Sequence, residues 1–205
     1  MRSRAKAAAA AGAFASLLAA ALPGAGGAQG ALAVEQRRAL VRSLPRGSAF
    51  RTNGQPYGFL AGLRAVARAP GEPSGEALAR AGAAAAELVE EKGGFAVFRE
   101  SAAAASEATR AAGRAPTYPV AVNERTGDLG VVPGTLVVRL RDPPAAGELA
   151  RDHGLSLDFH AAHLGTAFYR APAGASLPAA AARLAADPRV RSAEIEVKEH
   201  FAGPL

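Results

Sequence analysis

The chain has 205 residues, of which 49% are hydrophobic and only 5% aromatic, and it carries a formal charge of +6 with no cysteine and no tryptophan. This length allows one or two domains, and their cores depend on scattered Leu, Val, Ile and Phe because much of the hydrophobic content is alanine. The missing cysteine excludes disulfides, thiol catalysis and thiolate metal sites.

Residues 1–30 have the pattern of a secretory signal peptide, since basic residues precede an apolar run over 7–22 and small residues follow. Cleavage after Ala28 or Ala33 fits this pattern. An uncleaved membrane anchor is the weaker alternative, because the run is short and rich in Ala and Gly. Cleavage removes three of the 24 basic residues, so against 18 acidic residues the mature chain keeps a net charge of about +3. This small charge gives little electrostatic support for binding to nucleic acid. We expect a periplasmic or secreted protein with no membrane contact after cleavage.

Residues 34–130 predict a small α+β region. Helices are expected over 34–43, over 100–112, and from an N-cap at Ser74 to a stop at Gly93. GFAVF (94–98) is typical of a strand, and PVAVNERTGDLGVV (119–132) of two strands joined by a turn. RGSAFRTNGQPYGFLAG (46–62) is rich in turn residues.

Residues 131–200 predict a second module with a more regular pattern. Strands are expected at 134–140, 155–160, 166–171 and 190–197, with one helix opened by Pro143-Pro144 and another capped by Ser176. The order βαββαβ predicts a ferredoxin-like sandwich within the α+β class, in which two helices cover one face of a four-stranded antiparallel sheet. Alternation places Leu155, Leu157 and Phe159 on the helix side.

The sheet face without helices is either in water or docked to a partner. The alternate residues expected there are Val137, Arg139, Ser156, Asp158, His160, Ser192, Glu194 and Glu196, with either Phe168 or Tyr169. A valine and an aromatic ring among charged residues form a candidate docking patch. The simpler interpretation of Glu194 and Glu196 is the solvated side of an edge strand.

The sequence of the second module resembles a known family. VPGTLVVRL, GTAFYRAPAGAS and LPAAAARLAADPRVRSAEIE resemble propeptides of subtilisin-like serine proteases, of the inhibitor I9 and fervidolysin-prodomain type, over residues 131–205. The preceding YPVAVNERTGDLGVVPG is similar to the N-terminal region of the ASP external chaperone family, separate secreted proteins that fold and mask a protease lacking its own propeptide. The chain contains no His-Gly-Thr-His or Gly-Thr-Ser protease motif.

The resemblance implies a non-enzymatic, secreted chaperone and inhibitor that binds one subtilisin-like serine protease in trans and needs no cofactor. It implies that the open sheet face docks on two surface helices of the protease, with the glutamates capping one helix N-terminus. The implied docking residues are Val137, Asp158, Phe168, Glu194 and Glu196.

The resemblance also implies that Phe201 to Leu205 form an extended tail in the substrate cleft. Ala202, Gly203, Pro204 and Leu205 would occupy the fourth to first subsites. An extended segment binds a cleft edge through main-chain hydrogen bonds, and proline limits the entropy lost on binding. The alternative is an ordinary frayed end.

Other functions have less support. His153, His160 and His163 lack a carboxylate at ligand spacing, which disfavours a metal site. Ser156 lies on a predicted strand without a nucleophile elbow, so Asp152 and His153 are not expected to be catalytic. Phe168-Tyr169 lacks the basic surroundings of an RNA-binding platform. The alternative from another class is a secreted structural or adaptor protein that carries a ferredoxin-like domain and has no protease partner.

Overall fold

The computed structural model describes residues 31–83, 87–100 and 114–199. Its α-helices are α1 (Val34–Ser43), α2 (Ser74–Ala81), α3 (Ala146–His153) and α4 (Leu177–Ala185). Its strands are β1 (Arg46–Thr52), β2 (Gln55–Ala67), β3 (Leu88–Lys92), β4 (Phe95–Arg99), β5 (Thr117–Asn123), β6 (Leu129–Val131), β7 (Thr135–Leu140), β8 (Ser156–Ala161), β9 (Thr166–Arg170) and β10 (Val190–Ile195). Short 3-10 turns lie at Pro143–Ala145 and Ala162–Leu164.

The first sheet is built around β2, a strand of 13 residues. It pairs with β1 and then β4 along one edge and with β5 along the other, which gives the order β3-β4-β2-β5-β6. Helices α1 and α2 cover opposite faces. Val41 of α1 packs in a cluster with Leu63, whereas Leu78 of α2 packs with Val66 and Phe98. Both faces of this sheet are therefore used to build core.

The second sheet has the order β10-β7-β9-β8, with every neighbouring pair antiparallel. Helix α3 connects β7 to β8, and α4 connects β9 to β10. Leu149 of α3 and Leu184 of α4 pack in one buried cluster with Leu136, Val138 and Tyr169, so both helices cover the same face. The α+β class is confirmed, as is the strand and helix order predicted for residues 134–197.

The helix boundaries in this half follow local signals in the sequence. Pro143-Pro144 begins the 3-10 turn that leads into α3, and Gly154 ends α3 in the left-handed conformation. The hydroxyl of Ser176 accepts a hydrogen bond from the backbone N–H of Ala179 at 3.4 Å and so caps α4 as predicted.

The long helix predicted from Ser74 to Gly93 is wrong. Helix α2 ends at Ala81, because Gly82 adopts a left-handed conformation with φ of 75° and its N–H bonds back to the helix carbonyls. Residues 88–92 instead form β3, which pairs with β4 across the Gly93-Gly94 turn. Ser74 is the first helical residue and not the cap, and its hydroxyl donates to Glu91 of β3.

The segment 46–62, predicted to be rich in turns, instead forms most of the β1–β2 hairpin. Asn53 and Gly54 make its tight turn with φ values of 48° and 72°. An Asn-Gly pair flanked by strands is a strong hairpin signal because both residues tolerate positive φ. The predicted strand at 94–98 and the two strands within 119–132 are present as β4, β5 and β6. The predicted signal peptide at 1–30 and helix at 100–112 lie outside the described residues, except for residue 100.

The two sheets share one hydrophobic cluster. Tyr57, Ala121 and Val132 from the first half of the chain pack in the same cluster as Leu136 and Tyr169 from the second. Strand β1 also lies against α4 and β10. A division into domains at residues 130 and 131 stays a prediction, and the core is continuous across that point.

Candidate functional site

The second sheet has one face that neither α3 nor α4 covers, which we call the open face. Cross-strand register sets which residues lie there. Val137 of β7 is paired with Phe168 of β9 on one side and with Glu194 of β10 on the other, so these three side chains share a face. Tyr169 is completely buried on the helix side, where its hydroxyl donates to the carbonyl of Ala146 at 3.0 Å. Phe168 is therefore the aromatic residue that the open face presents.

A β-bulge in β8 adds a second aromatic residue to the open face. The register shifts between Leu157, which pairs with Tyr169, and Phe159, which pairs with Phe168. The extra residue places Phe159 on the opposite side from the one that simple alternation predicts. Its side chain is 61% exposed and its ring centroid lies 6.0 Å from that of Phe168. The prediction that Phe159 faces the helices is wrong, and the open face gains an exposed aromatic pair.

The same bulge moves His160 to the helix side. His160 pairs with Ala167, which is fully buried beneath the helices, so the predicted position of His160 on the open face is wrong. Leu157 lies on the helix side as predicted but is 38% exposed, because β8 is the edge strand of the sheet. A hydropathy pattern alone does not reveal a bulge, since it assumes strict alternation along the strand.

Charged residues lie beside the aromatic pair. Asp158, the extra residue of the bulge, accepts two hydrogen bonds from Arg170, at 2.7 Å from Nη2 and 3.3 Å from Nε. Arg170 pairs with Thr135 and so lies on the open face, as does Arg139, which pairs with Ser192 and Thr166. This face has an apolar centre of Val137, Phe159 and Phe168 with charges around it, which is the composition of a protein-interaction surface.

The carboxylate of Glu194 has partners within the chain. It accepts hydrogen bonds from the hydroxyl of Thr52 at 3.1 Å and from the backbone N–H of Asn53 at 2.8 Å, both in the β1–β2 turn. Glu196, two residues further on, lies 3.9 Å from the ammonium group of Lys198. Both of these bonds go to Oε2 of Glu194, and a role of the two glutamates in capping a partner's helix stays a prediction.

Sequence reasoning missed two contributors to this surface. Simple alternation places Phe159 on the helix side, and no sequence pattern indicates that the β1–β2 turn reaches β10. The Asn53-Gly54 pair signals the hairpin, but no local signal shows which strand its turn contacts. The predicted tail, Phe201 to Leu205, lies outside the described residues.

Within residues 31–83, 87–100 and 114–199, no group of three or more His, Cys, Asp or Glu side chains is arranged to hold a metal ion. Across the same ranges, no helix has the length and hydropathy needed to cross a membrane.

The fold and this face define a class: an α+β protein with two antiparallel sheets, one of which presents an exposed aromatic surface. Residues 50–201 match the family described as "Open reading frame 2 N-terminal domain". Because this match spans both sheets and most of the chain, the chain belongs to that family, and the family resemblance predicted from the sequence is confirmed.

The other comparisons add one solved structure. The chain is similar to a chain in the crystal structure of the Aeromonas sobria serine protease (ASP) and chaperone (ORF2) complex, with 28% identity over 44% of this chain and 93% of that one. The TM-score is 0.36. A search of curated proteins finds no match.

Proposed function

We propose that this protein is a secreted chaperone and inhibitor of a subtilisin-like serine protease, acting in trans as a separate chain. The observation that carries the proposal is the family match over residues 50–201. The related solved complex pairs a chaperone named ORF2 with a serine protease. The propeptide-like segments between residues 131 and 205 support the subtilisin-like type of partner.

The open face is the proposed docking surface. Phe159 and Phe168 form an exposed aromatic pair next to Val137, and Asp158 and Arg170 pair at its side. Aromatic residues at the centre of a patch dominate binding energy once a partner excludes water from them, and surrounding charges set the orientation. The protease side of this contact would be an apolar surface with complementary charges.

Phe201 to Leu205 are proposed to occupy the substrate cleft of the same protease molecule, which gives one chain for each protease. An extended segment adds to the edge of a cleft by main-chain hydrogen bonds, and its side chains fill pockets. Pro204 restricts the backbone before binding, so less conformational entropy is lost. Two separate contacts, the open face and the tail, would then act together.

Assistance with folding follows from binding the native protease more tightly than its unfolded chain. A ligand at about 1,000 times its dissociation constant stabilises the native state by roughly 4 kcal/mol. A surface that matches two packed elements of the protease also favours the state in which those elements are already docked. No catalytic step is needed for this action, and export by a signal peptide at 1–30 would bring the chaperone to the compartment of its partner.

Co-expression tests the proposal. A subtilisin-like protease without its own propeptide is exported in three cultures: alone, with this protein, or with its Phe159→Ser variant. The yield of active protease is measured after the bound chaperone has been dissociated from it. We expect active enzyme with the wild-type chain and a reduced yield with the variant. Equal yields in all three cultures, across several such proteases, would favour the structural or adaptor function instead.

A further inference from the structure

The chain does not leave the second sheet freely after β10. The N–H of Glu196 makes the last bond to β7, to the carbonyl of Thr135 at 2.9 Å. Two residues later the chain joins the first sheet, where Lys198 and Val131 of β6 exchange two backbone hydrogen bonds of 2.8 Å and 3.0 Å. We call residues 197–199 the tail root, because they directly precede the C-terminal residues.

Gly130 provides the space that this contact needs. A Cβ atom on Gly130 would collide with Cγ1 of Val197 and lie 3.3 Å from Cγ of Glu199. Its backbone is not in the left-handed region, so the absence of a side chain, and not an unusual φ, is what this position requires. Any larger residue at 130 would push the tail root away from β6.

The side chains of the tail root contact the first half of the protein on both faces of the sheet. Val197 packs against the shared cluster. Lys198 lies on the opposite side, with its ammonium group 6.0 Å from the centre of the Phe95 ring. Glu199 lies beside the hydroxyl of Tyr57, and burial first and this carboxylate second raise the pKa of Tyr57 to about 12. The tail root is thus held against the first sheet by backbone and side-chain contacts together.

We propose that β6 and Tyr57 are a positioning seat: contacts with the first sheet, not the second, set the direction in which the chain continues after Glu199 and so present Phe201–Leu205 to the cleft. This inference rests on the proposed function. With the tail root held, one residue, 200, stands between Glu199 and Phe201 in the sequence, whereas release back to Glu196 would add residues 197–199 to this linker. Effective concentration falls roughly as the −3/2 power of linker length, so release should weaken inhibition about tenfold.

Gly130→Val tests the seat, with Gly75→Ala as the matched control because a Cβ on Gly75 meets nothing within 4 Å. Amide hydrogen exchange on the free protein is measured at Val131 and Lys198. We expect exchange at both amides to become at least about tenfold faster in Gly130→Val and to stay unchanged in Gly75→Ala. Unchanged exchange at both amides in Gly130→Val would refute the positioning seat, and this measurement needs no protease.

The second measurement separates positioning from docking. The inhibition constant against a subtilisin-like protease is measured for each variant, and direct binding is measured for the same variants lacking Phe201–Leu205. We expect Gly130→Val to raise the inhibition constant about tenfold and to leave the binding of the shortened chain unchanged. An unchanged inhibition constant, or an equal loss in the shortened chain, would overturn the positioning role.

A variant that does not fold and a wild-type chain that does not inhibit have different consequences. If Gly130→Val fails to fold, Glu199→Gln replaces it, because this change weakens the contact with Tyr57 without adding volume, and the same direction of effect is expected. If the wild-type chain does not inhibit any protease tested, the proposed function fails and the positioning role fails with it. Inhibition by wild type with no response to either variant refutes the positioning role alone.

Discussion

Glu194 is the single side chain that most directly ties the open face to the β1–β2 turn. Its carboxylate receives one hydrogen bond from a nearly buried hydroxyl, that of Thr52, and one from the backbone N–H of Asn53. Hydrogen bonds to a charged acceptor are stronger than neutral ones, and loss of the acceptor leaves both donors without this partner. Glu194 therefore has a structural role whatever partner the open face binds.

Replacement of Glu194 by Ala should lower the free energy of unfolding by about 1 to 2 kcal/mol, because two hydrogen bonds to the turn are lost. Glu196→Ala is the control two residues further along the chain, because the hydrogen bonds from the turn go to Glu194, whereas the Glu196 carboxylate lies 3.9 Å from the ammonium group of Lys198. Urea denaturation of both variants gives the comparison. Equal destabilisation by the two changes would show that the contact with the turn contributes nothing.

We expect Asp187 to make the fold sensitive to acid. Arg189 donates to it from Nη2 at 2.8 Å and from Nε at 3.0 Å, and Nε2 of His153 lies 3.0 Å away. These bonds, with Arg189 as the main cause and His153 as the second, hold the pKa of Asp187 well below its usual range. A carboxyl whose pKa is depressed by folding stabilises the protein above its unfolded pKa of about 3.9, and this stability is lost as pH falls toward the folded value.

Asp187→Asn should therefore reduce stability at neutral pH and flatten the loss of stability below about pH 4. Asp142→Asn is the control, because Asp142 is exposed and its side chain makes no capping hydrogen bond at the turn that it precedes. The free energy of unfolding of each variant is measured as a function of pH. An acid profile of Asp187→Asn that parallels the wild type would contradict this assignment.

Strand β8 shows how far hydropathy patterns predict an element. Its existence and its position after α3 follow from alternation and from Gly154, and both are correct. The side on which Phe159 lies does not follow, because one extra residue in a bulge reverses the alternation. The same limit explains α2, where residues 74–92 have helical spacing but Gly82 ends the helix and β3 finds a partner in β4. Pairing between strands overrides local periodicity in both cases.

Phe159→Ser tests the exposed aromatic pair. Since Phe159 is 61% exposed, the free energy of unfolding should change by no more than about 0.5 kcal/mol. Affinity for the protease should fall about tenfold or more, because a central aromatic contact is lost. Leu164→Ser is the matched control, since Leu164 is 68% exposed but lies on the turn between β8 and β9. Binding is measured by titration calorimetry, and equal affinities for the two variants would exclude Phe159 from the interface.

The molecule as a whole is held together by contacts that are distant in the sequence. Thr52 and Glu194 are 142 residues apart, and Lys198 joins a strand that ends at Val131. The position of Val137 on the open face could be predicted from the sequence, because it needs only local alternation and the order of elements, whereas the choice between Phe168 and Tyr169 needed the cross-strand register. The contacts of β1 with the second half of the chain, and of the tail root with β6, could not be predicted from the sequence. No local pattern shows which distant segment of backbone a given segment pairs with.

The proposed function requires this protein to mask a subtilisin-like protease through two contacts, the open face and the tail. The most direct measurement titrates such a protease with the full chain and with the chain lacking Phe201–Leu205, following peptide hydrolysis and binding together. We expect the full chain to stop hydrolysis at equimolar concentration, whereas the shortened chain still binds, more weakly, and leaves hydrolysis intact. Undiminished hydrolysis with excess full chain would contradict the claim, and equal inhibition by both chains would contradict the role of the tail.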